Sequence, residues 1–213
     1  MRIDFALIGE GSSDSGLIEH LSQLCLEAGA DEVTPIVPDL QWLPEDTRRT
    51  IEAKLRATIR LQPNVNLIFI HRDADSRDPT PRYAEITRAV EACALLKSWV
   101  AVVPVQETEA WLLLDEAAIR SVAGKPNGRA NLNLPRPRLV ENIADPKEYL
   151  RNAIVAASEL KGRRLNDLRK NFSTHRQILL RRLPIDGPIR QVPSWVRMRD
   201  DIIEAVENLR AVE

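Results

Sequence analysis

A run of apolar residues leads directly into two aspartates in the segment Leu67-Ile68-Phe69-Ile70-His71-Arg72-Asp73-Ala74-Asp75-Ser76. Four apolar residues in succession predict a strand that is covered on both faces of a parallel sheet. Asp73 and Asp75 follow at the carboxyl end of that strand, which is the edge where ligands bind in open α/β sheets. Because residues two apart in a strand point the same way, we expect both carboxylates to converge on one cation.

Strands and helices alternate along the first half of the chain. Apolar runs predict strands at about 3–8, 33–37, 65–71 and 99–105, and apolar residues at helical spacing predict helices at about 14–28, 44–61 and 81–96. This order favours an α/β fold, with a mostly parallel four-stranded sheet, flanking helices and right-handed crossovers.

The second half of the chain differs from the first in composition and in its predicted elements. Residues 124–138 are rich in Gly, Asn, Pro and Arg, a composition that predicts a loop. After this loop we expect only helices, at about 146–160, 163–182 and 194–210. We therefore predict an α/β domain over residues 1–121 and a basic, mainly helical C-terminal extension over residues 122–213.

The composition is ordinary for a soluble globular protein, with 44% hydrophobic and 29% charged residues among 213. No apolar run approaches the roughly 18 residues that span a bilayer, and the first residues lack the hydrophobic region of a signal peptide, so we expect a cytoplasmic protein. Residues 1–115 hold 11 Lys and Arg against 19 Asp and Glu, whereas residues 116–213 hold 19 against 12. The acidic half suits a metal and the basic half a polyanion, although chance clustering of surface charge is the alternative.

A third acid is expected at the same edge of the sheet. Glu10 follows the first predicted strand, which can neighbour the strand that ends before Asp73 and Asp75. Three clustered carboxylates repel one another unless a cation neutralises them, and Mg²⁺ or Mn²⁺ is the usual solution. Such an ion suits phosphodiester chemistry. Acids at strand ends also serve as helix caps or lie in solvated turns, which is the alternative interpretation.

These motifs together resemble the Toprim domain of bacterial primases, topoisomerases and related nucleases, over about residues 1–115. Within that superfamily the chain is most similar to the bacterial family 4276 of domains of unknown function. The matching motifs are Gly9-Glu10-Gly11, Asp73-Ala74-Asp75, Glu107-Thr108-Glu109-Ala110-Trp111 with Asp115, and Asp145-Pro146-Lys147.

The resemblance implies a Mg²⁺-dependent site that acts on nucleic acid, with a role in bacterial defence. It implies that Glu10 is a metal ligand or a general acid/base and that Asp73 and Asp75 are metal-binding aspartates. All three residues would be catalytic. It also makes Glu107 or Glu109 a ligand for a second metal. Both glutamates equally suit the positive end of a helix dipole, so which of them serves the site stays open.

Two groups of residues could contact nucleic-acid phosphates. Backbone N–H groups at Gly11, Ser12 and Ser13 could hold one phosphate where the first helix begins. A basic surface is expected downstream, at Lys161, Arg163, Arg164, Arg169 and Lys170. This surface could follow a nucleic-acid backbone, with an affinity that falls steeply with salt. Alternatively, it could pair with the acidic first domain, a protein partner or a second copy of the chain.

Two functions from different classes follow. The first is a metal-dependent nuclease that hydrolyses phosphodiester bonds. The second is a non-catalytic subunit that binds metal together with nucleic acid or protein. Hydrolysis that depends on metal and on the acids would support the first, and binding that persists in EDTA without hydrolysis would support the second.

Overall fold

The structure, a computed structural model, describes residues 1–45 and 48–212. Its strands are β1 (Arg2–Ile8), β2 (Glu32–Ile36), β3 (Leu67–His71) and β4 (Ser98–Val102). The helices that precede or separate these strands are α1 (Ile18–Glu27), α2 (Ile51–Leu61) and α3 (Thr80–Ala92). After β4 come α4 (Glu109–Leu112), α5 (Glu116–Val122), α6 (Pro146–Ser158), α7 (Gly162–Lys170), α8 (Phe172–Arg181) and α9 (Pro193–Val212). Short 3₁₀ helices lie at Ser12–Leu17, Pro137–Asn142 and Pro188–Gln191.

The chain divides into two compact units. Unit 1 comprises residues 1–72, 80–103 and 197 to the C-terminus, and unit 2 comprises residues 73–79 and 104–196. The predicted division into an α/β domain over residues 1–121 and a helical C-terminal extension over residues 122–213 stays a prediction.

Unit 1 contains a four-stranded sheet in which all strands are parallel, in the order β2-β1-β3-β4. The prediction of an α/β fold with flanking helices is confirmed. The expectation that β1 and β3 are neighbours also holds, since Ile8 lies opposite Ile70 in the register. Every residue of β3 is buried, as the continuous apolar run predicts. The rings of Phe5 and Phe69 pack edge to face across these two strands, with centroids 4.9 Å apart.

Unit 2 is helical and has its own core. Trp111 of α4 and Trp195 at the start of α9 are both fully buried, and their rings meet edge to face at 5.1 Å. The indole N–H of Trp111 donates to the hydroxyl of Ser194 at 3.1 Å, so this buried donor has a partner. Helices α4 and α5 each pack against both α6 and α8 in this unit.

Several predicted element boundaries are wrong, for local reasons. Residues 46 and 47 of the helix predicted over 44–61 lie outside the described part of the structure. In the described part this helix begins at Ile51, because the side chain of Thr50 caps it by accepting a hydrogen bond from the N–H of Ala53. The helix predicted over 163–182 is two helices that meet at Asn171. The side-chain amide of Asn171 donates to the carbonyl of Asp167 at 3.0 Å, a local bond that competes with helix continuation.

No helix in the described ranges is both long enough and apolar enough to cross a lipid bilayer.

Candidate functional site

The chain beyond β3 pairs with the chain beyond β4, and this pairing positions the first acids. The N–H of Ala74 donates to the carbonyl of Pro104 at 3.0 Å, and the N–H of Asp75 donates to the carbonyl of Gln106 at 2.8 Å. Asp75 and Gln106 both adopt a left-handed backbone conformation, with φ of 53° and 61°. Because Asp75 is not in strand conformation, strand alternation does not fix the direction of its exposed side chain.

A residue other than glycine in a left-handed conformation costs of order 1–3 kcal/mol, and such residues cluster at functional sites. Asp75 and Gln106 are two such residues, and they are joined by a backbone hydrogen bond. Two backbone hydrogen bonds stabilise this conformation. The N–H of Asp75 donates to the carbonyl of Gln106, and the N–H of Gln106 donates to the carbonyl of Ser76 at 3.0 Å.

Asp73 is held in one orientation by Thr108. One carboxylate oxygen of Asp73 accepts hydrogen bonds from both the backbone N–H and the hydroxyl of Thr108, each at 2.9 Å. Thr108 is itself buried, whereas Asp73 is half-buried. The second carboxylate oxygen of Asp73 is not used in either of these two bonds.

Glu107 lies among other carboxylates. Burial raises its pKa above the usual range, and the charges of Glu109, Asp73 and Asp145 raise it further, although Lys147 opposes them. We call Asp73, Glu107, Glu109 and Asp145 the acid cluster. Its members come from the segments after β3 and β4 and from the start of α6, where Asp145 caps the helix by accepting from the N–H of Glu148.

The two glutamates that follow β4 occupy different environments. Glu109 is 2% exposed, and its carboxylate accepts a hydrogen bond from Nε of Arg176 on α8 at 2.7 Å. Its charge is therefore compensated within unit 2. Glu107 is half-buried, and its pKa is raised by burial first and then by the charges of Glu109, Asp73 and Asp145, against the opposing effect of Lys147. Of the two, Glu107 is the better candidate to face a cation.

Glu10 belongs to unit 1 and lies in a network at the carboxyl end of β1. Its carboxylate lies 3.1 Å from Nε of Arg72. The Nη2 atom of the same arginine lies 3.6 Å from the carboxylate of Glu85. The ammonium group of Lys54 donates to the carbonyl of Gly9 at 2.6 Å, and burial and the charge of Arg72 lower the pKa of Lys54.

Asp14 organises the turn that carries Glu10. Its Oδ2 atom accepts from the backbone N–H of Glu10 at 2.8 Å and of Gly11 at 3.1 Å, and it lies 3.2 Å from Nδ1 of His71. Burial alone would raise the pKa of this carboxyl. The hydrogen bond and charge of His71, together with the two backbone donors, outweigh burial and hold the pKa well below its usual range. A Cβ atom on Gly9 would lie 2.7 Å from the same oxygen, so glycine is required there.

The sequence argument missed Asp14, Lys54, Arg72 and Arg176. Asp14 has a local signal, since it lies three residues after Gly11 at the start of a helical segment, where an acid commonly binds backbone N–H groups. The other three act through contacts between distant parts of the sequence.

A cavity of about 470 Å³ opens beside Glu10 in unit 1. The ends of β1 and the chain after β2 form its apolar wall, and Glu10, Asp39, Arg48 and Lys54 supply its charged groups. A volume of this size accommodates a small ligand.

The predicted phosphate-binding turn comprises Gly11, Ser12 and Ser13, and the structure describes the hydrogen bonds of the first and the last. The N–H of Gly11 is used inside the turn by Asp14, and the hydroxyl of Ser13 donates to the other oxygen of Asp14 at 3.2 Å. The side chain of Ser12 lies outside the described part of the structure. Phosphate binding at these three residues stays a prediction.

The predicted basic surface is exposed. Lys161, Arg163, Arg164, Arg169 and Lys170 all lie on or next to α7, which has no buried residue. No described acid of unit 2 forms an ion pair with any of these five. A role of this surface in nucleic-acid binding stays a prediction.

Among the described residues, no group of three or more His, Cys, Asp and Glu side chains is arranged to hold a metal ion. Scans of protein-family models, curated proteins and solved structures found no match to this chain. The metal site and the resemblance to the Toprim domain therefore stay predictions.

Proposed function

We propose that this protein is a Mg²⁺-dependent phosphodiesterase that acts on nucleic acid, with Asp73 and Glu107 as the main metal-binding carboxylates. The observation that carries the proposal is the acid cluster, where Thr108 fixes the carboxylate of Asp73 with two hydrogen bonds and where burial, and then the neighbouring carboxylates, raise the pKa of Glu107. A cation beside these carboxylates would remove that repulsion.

The residues present fit a hard divalent cation. The acid cluster offers carboxylate oxygens, which Mg²⁺ prefers over nitrogen or sulfur ligands. Mg²⁺ keeps several waters and commonly takes only one or two carboxylates together with substrate phosphate oxygens. The two carboxylates of Asp73 and Glu107 therefore suffice in number, and a preformed cage of three or more acids is not required.

The protein's own residues have defined tasks in this proposal. Thr108 fixes Asp73 with two hydrogen bonds, so that little orientational freedom is lost when Asp73 binds a ligand. Arg176 neutralises Glu109 and keeps that carboxylate in the core. A bound Mg²⁺ would supply electrostatic stabilisation of the charge that develops on the phosphate oxygens. Asp75 is proposed to contribute on the ground of the resemblance to the Toprim domain, and the role of Glu10 stays a prediction from the sequence.

The basic surface on α7 supports a polyanionic substrate. Five exposed cations without acidic partners in unit 2 are the arrangement expected of a surface that follows a phosphate backbone. Base-specific recognition is not part of the proposal.

The test is cleavage of plasmid DNA, single-stranded DNA and RNA with Mg²⁺ or Mn²⁺. We expect Asp73→Asn and Glu107→Gln each to lower the cleavage rate at least about 100-fold, since loss of even an outer-shell partner costs 10–100-fold. Asp186→Asn, which changes an exposed acid elsewhere in unit 2, is the matched control and should cleave at the wild-type rate. Thermal stabilisation by Mg²⁺ alone gives a separate measure of metal binding. Wild-type cleavage by Glu107→Gln would refute the site.

A second candidate function, a non-catalytic binding subunit, is favoured by one observation. Asp73 and Glu109 already have strong partners in Thr108 and Arg176, as acids with purely structural roles do. Nucleic-acid binding that is unchanged in EDTA, with no hydrolysis at any Mg²⁺ or Mn²⁺ concentration, would support this function instead.

A further inference from the structure

Arg77 joins the loop that follows β3 to the segment that leads into α6, and both belong to unit 2. The Nη2 atom of Arg77 donates to the carbonyl of Asn142 at 2.8 Å. Arg77 lies four positions after Asp73, and Asn142 lies three positions before Asp145. This hydrogen bond therefore places Arg77 between the two chain segments that supply Asp73 and Asp145 to the acid cluster.

Lys147 is a second cation beside the acid cluster. It is the second residue of α6, and it lies two positions after Asp145, whose carboxylate caps that helix. The charge of Lys147 also acts on the carboxyl of Glu107, whose pKa it lowers against burial and the neighbouring acids. An effect of this kind requires the two groups to be close, because charges in water are screened over distance. Lys147 and Arg77 therefore lie at the same cluster.

Neither of these two cations is bound by the acids around it. Both residues are exposed. Among the residues that the structure describes, Arg77 bonds only to the neutral carbonyl of Asn142, and the side chain of Lys147 has no hydrogen bond or ion pair. Arg176 differs, since it binds Glu109 directly at 2.7 Å. A guanidinium has five N–H donors, so most donors of Arg77 stay available to a ligand, as does the ammonium group of Lys147.

The balance of charge at the acid cluster determines when an anion can bind there. Asp73, Glu107 and Asp145 outnumber the two exposed cations, and Glu109 is neutralised by Arg176. An anionic chain is therefore repelled until a divalent cation neutralises the carboxylates. Once one Mg²⁺ is bound, the positive charges of these groups exceed the negative ones. Guanidinium and ammonium groups are the side chains that commonly bind phosphate oxygens.

We propose that Arg77 and Lys147 bind the phosphate groups next to the reacting phosphodiester, and that they do so only when the acid cluster holds its metal. This inference rests on the proposed function. It defines a substrate class, which is a polynucleotide with several consecutive phosphates. An isolated phosphodiester, such as a dinucleoside monophosphate, would lack the groups that these two residues bind. Because neither residue touches the reacting phosphate, both are substrate-binding residues and not catalytic ones.

The experiment compares two substrates with the full-length protein and Mg²⁺. One is the oligonucleotide that the wild type cleaves, and the other is the dinucleoside monophosphate of the same sugar. Arg77→Gln with Lys147→Gln should lower kcat/KM for the oligonucleotide at least about ten-fold, the effect of losing charge-assisted hydrogen bonds, and leave that for the dinucleoside unchanged. Arg138→Gln, at an exposed position of the 3₁₀ helix that contains Asn142, should change neither. Equal losses on both substrates would overturn the proposal, because Arg77 would then only hold the loop of Asp73 in place.

A binding measurement separates this inference from the proposed function. If no substrate is cleaved, the proposed function fails, and fluorescence anisotropy of a labelled thymidine oligonucleotide is measured with Mg²⁺ and with EDTA at equal ionic strength. Mg²⁺ should tighten binding to the wild type, and its effect on the double variant should be at least about ten-fold smaller. Binding that does not depend on Mg²⁺, or an equal effect of Mg²⁺ on both proteins, would overturn the inference. Undiminished oligonucleotide cleavage by the double variant would overturn it and leave the proposed function standing.

Discussion

The ion pair between Glu109 and Arg176 allows a quantitative test of the distinction between the two glutamates. The side chains are 3% and 11% exposed, and Nε of Arg176 lies 2.7 Å from the Glu109 carboxylate. Removal of one partner from a buried pair leaves an uncompensated charge in the core, at a cost of about 3–5 kcal/mol. We expect Arg176→Met to lower the free energy of unfolding by about 3 kcal/mol, the low end, because Arg176 keeps some contact with solvent.

The double variant Glu109→Gln with Arg176→Met should be far more stable than the sum of the single changes. It removes both charges and keeps the volume of the side chains, and such replacements are close to neutral. We therefore expect a coupling energy of about 2 kcal/mol or more.

Urea denaturation followed by tryptophan fluorescence measures all four proteins, since Trp111 and Trp195 report on the core of unit 2. The variant Arg138→Met, at an exposed position of the same unit, is the control and should match the wild type. Single costs below about 1 kcal/mol, or costs that add without coupling, would refute the argument that Glu109 is a structural acid.

Further changes give distinct expectations. Gly9→Ala should lower the midpoint of thermal unfolding, at a cost of about 1–3 kcal/mol, because the new Cβ atom would meet Asp14 at 2.7 Å. Asp14→Asn should destabilise the protein at pH 7 and progressively less below pH 4. The lowered folded-state pKa of Asp14 stabilises the fold above the usual carboxyl pKa, and this contribution is lost as the pH falls. Glu107→Gln should stabilise the fold by up to about 1 kcal/mol at pH 7 and have no effect at pH 4. Because the folded-state pKa of Glu107 is raised, its ionised carboxyl costs stability at pH 7, and this cost disappears once the pH is low enough to protonate it. Urea titrations at both pH values measure the difference. Arg163→Ala should reduce the slope of log binding constant against log salt for duplex DNA by about 0.9, whereas Arg138→Ala should not change it.

Local patterns were sufficient to predict the sheet. The apolar run of β3 and the spacing of strands and helices predict a parallel α/β arrangement, in which β1 and β3 can be neighbours, as the structure shows them to be. Element ends depended on single side chains, such as the cap at Thr50 and the amide of Asn171, which periodicity does not detect.

The site was less accessible to sequence reasoning. The acids Asp73, Glu107 and Glu109 are visible as residues that follow strands, but their roles depend on partners from elsewhere in the chain. Arg176, which neutralises Glu109, lies 67 positions away. Such pairs arise from the packing of helices, and a single sequence contains no periodic signal for them.

Helix α7 contains no fully buried residue and has a high density of arginine and lysine. A helix with few buried contacts opens at a low free-energy cost, and an open segment is the substrate that proteases require. Brief digestion with trypsin should therefore cut the chain within residues 162–170 before it cuts the other helices of unit 2. A bound polyanion would shield these cleavage sites, so the rate of nicking would report occupancy of this surface without any label.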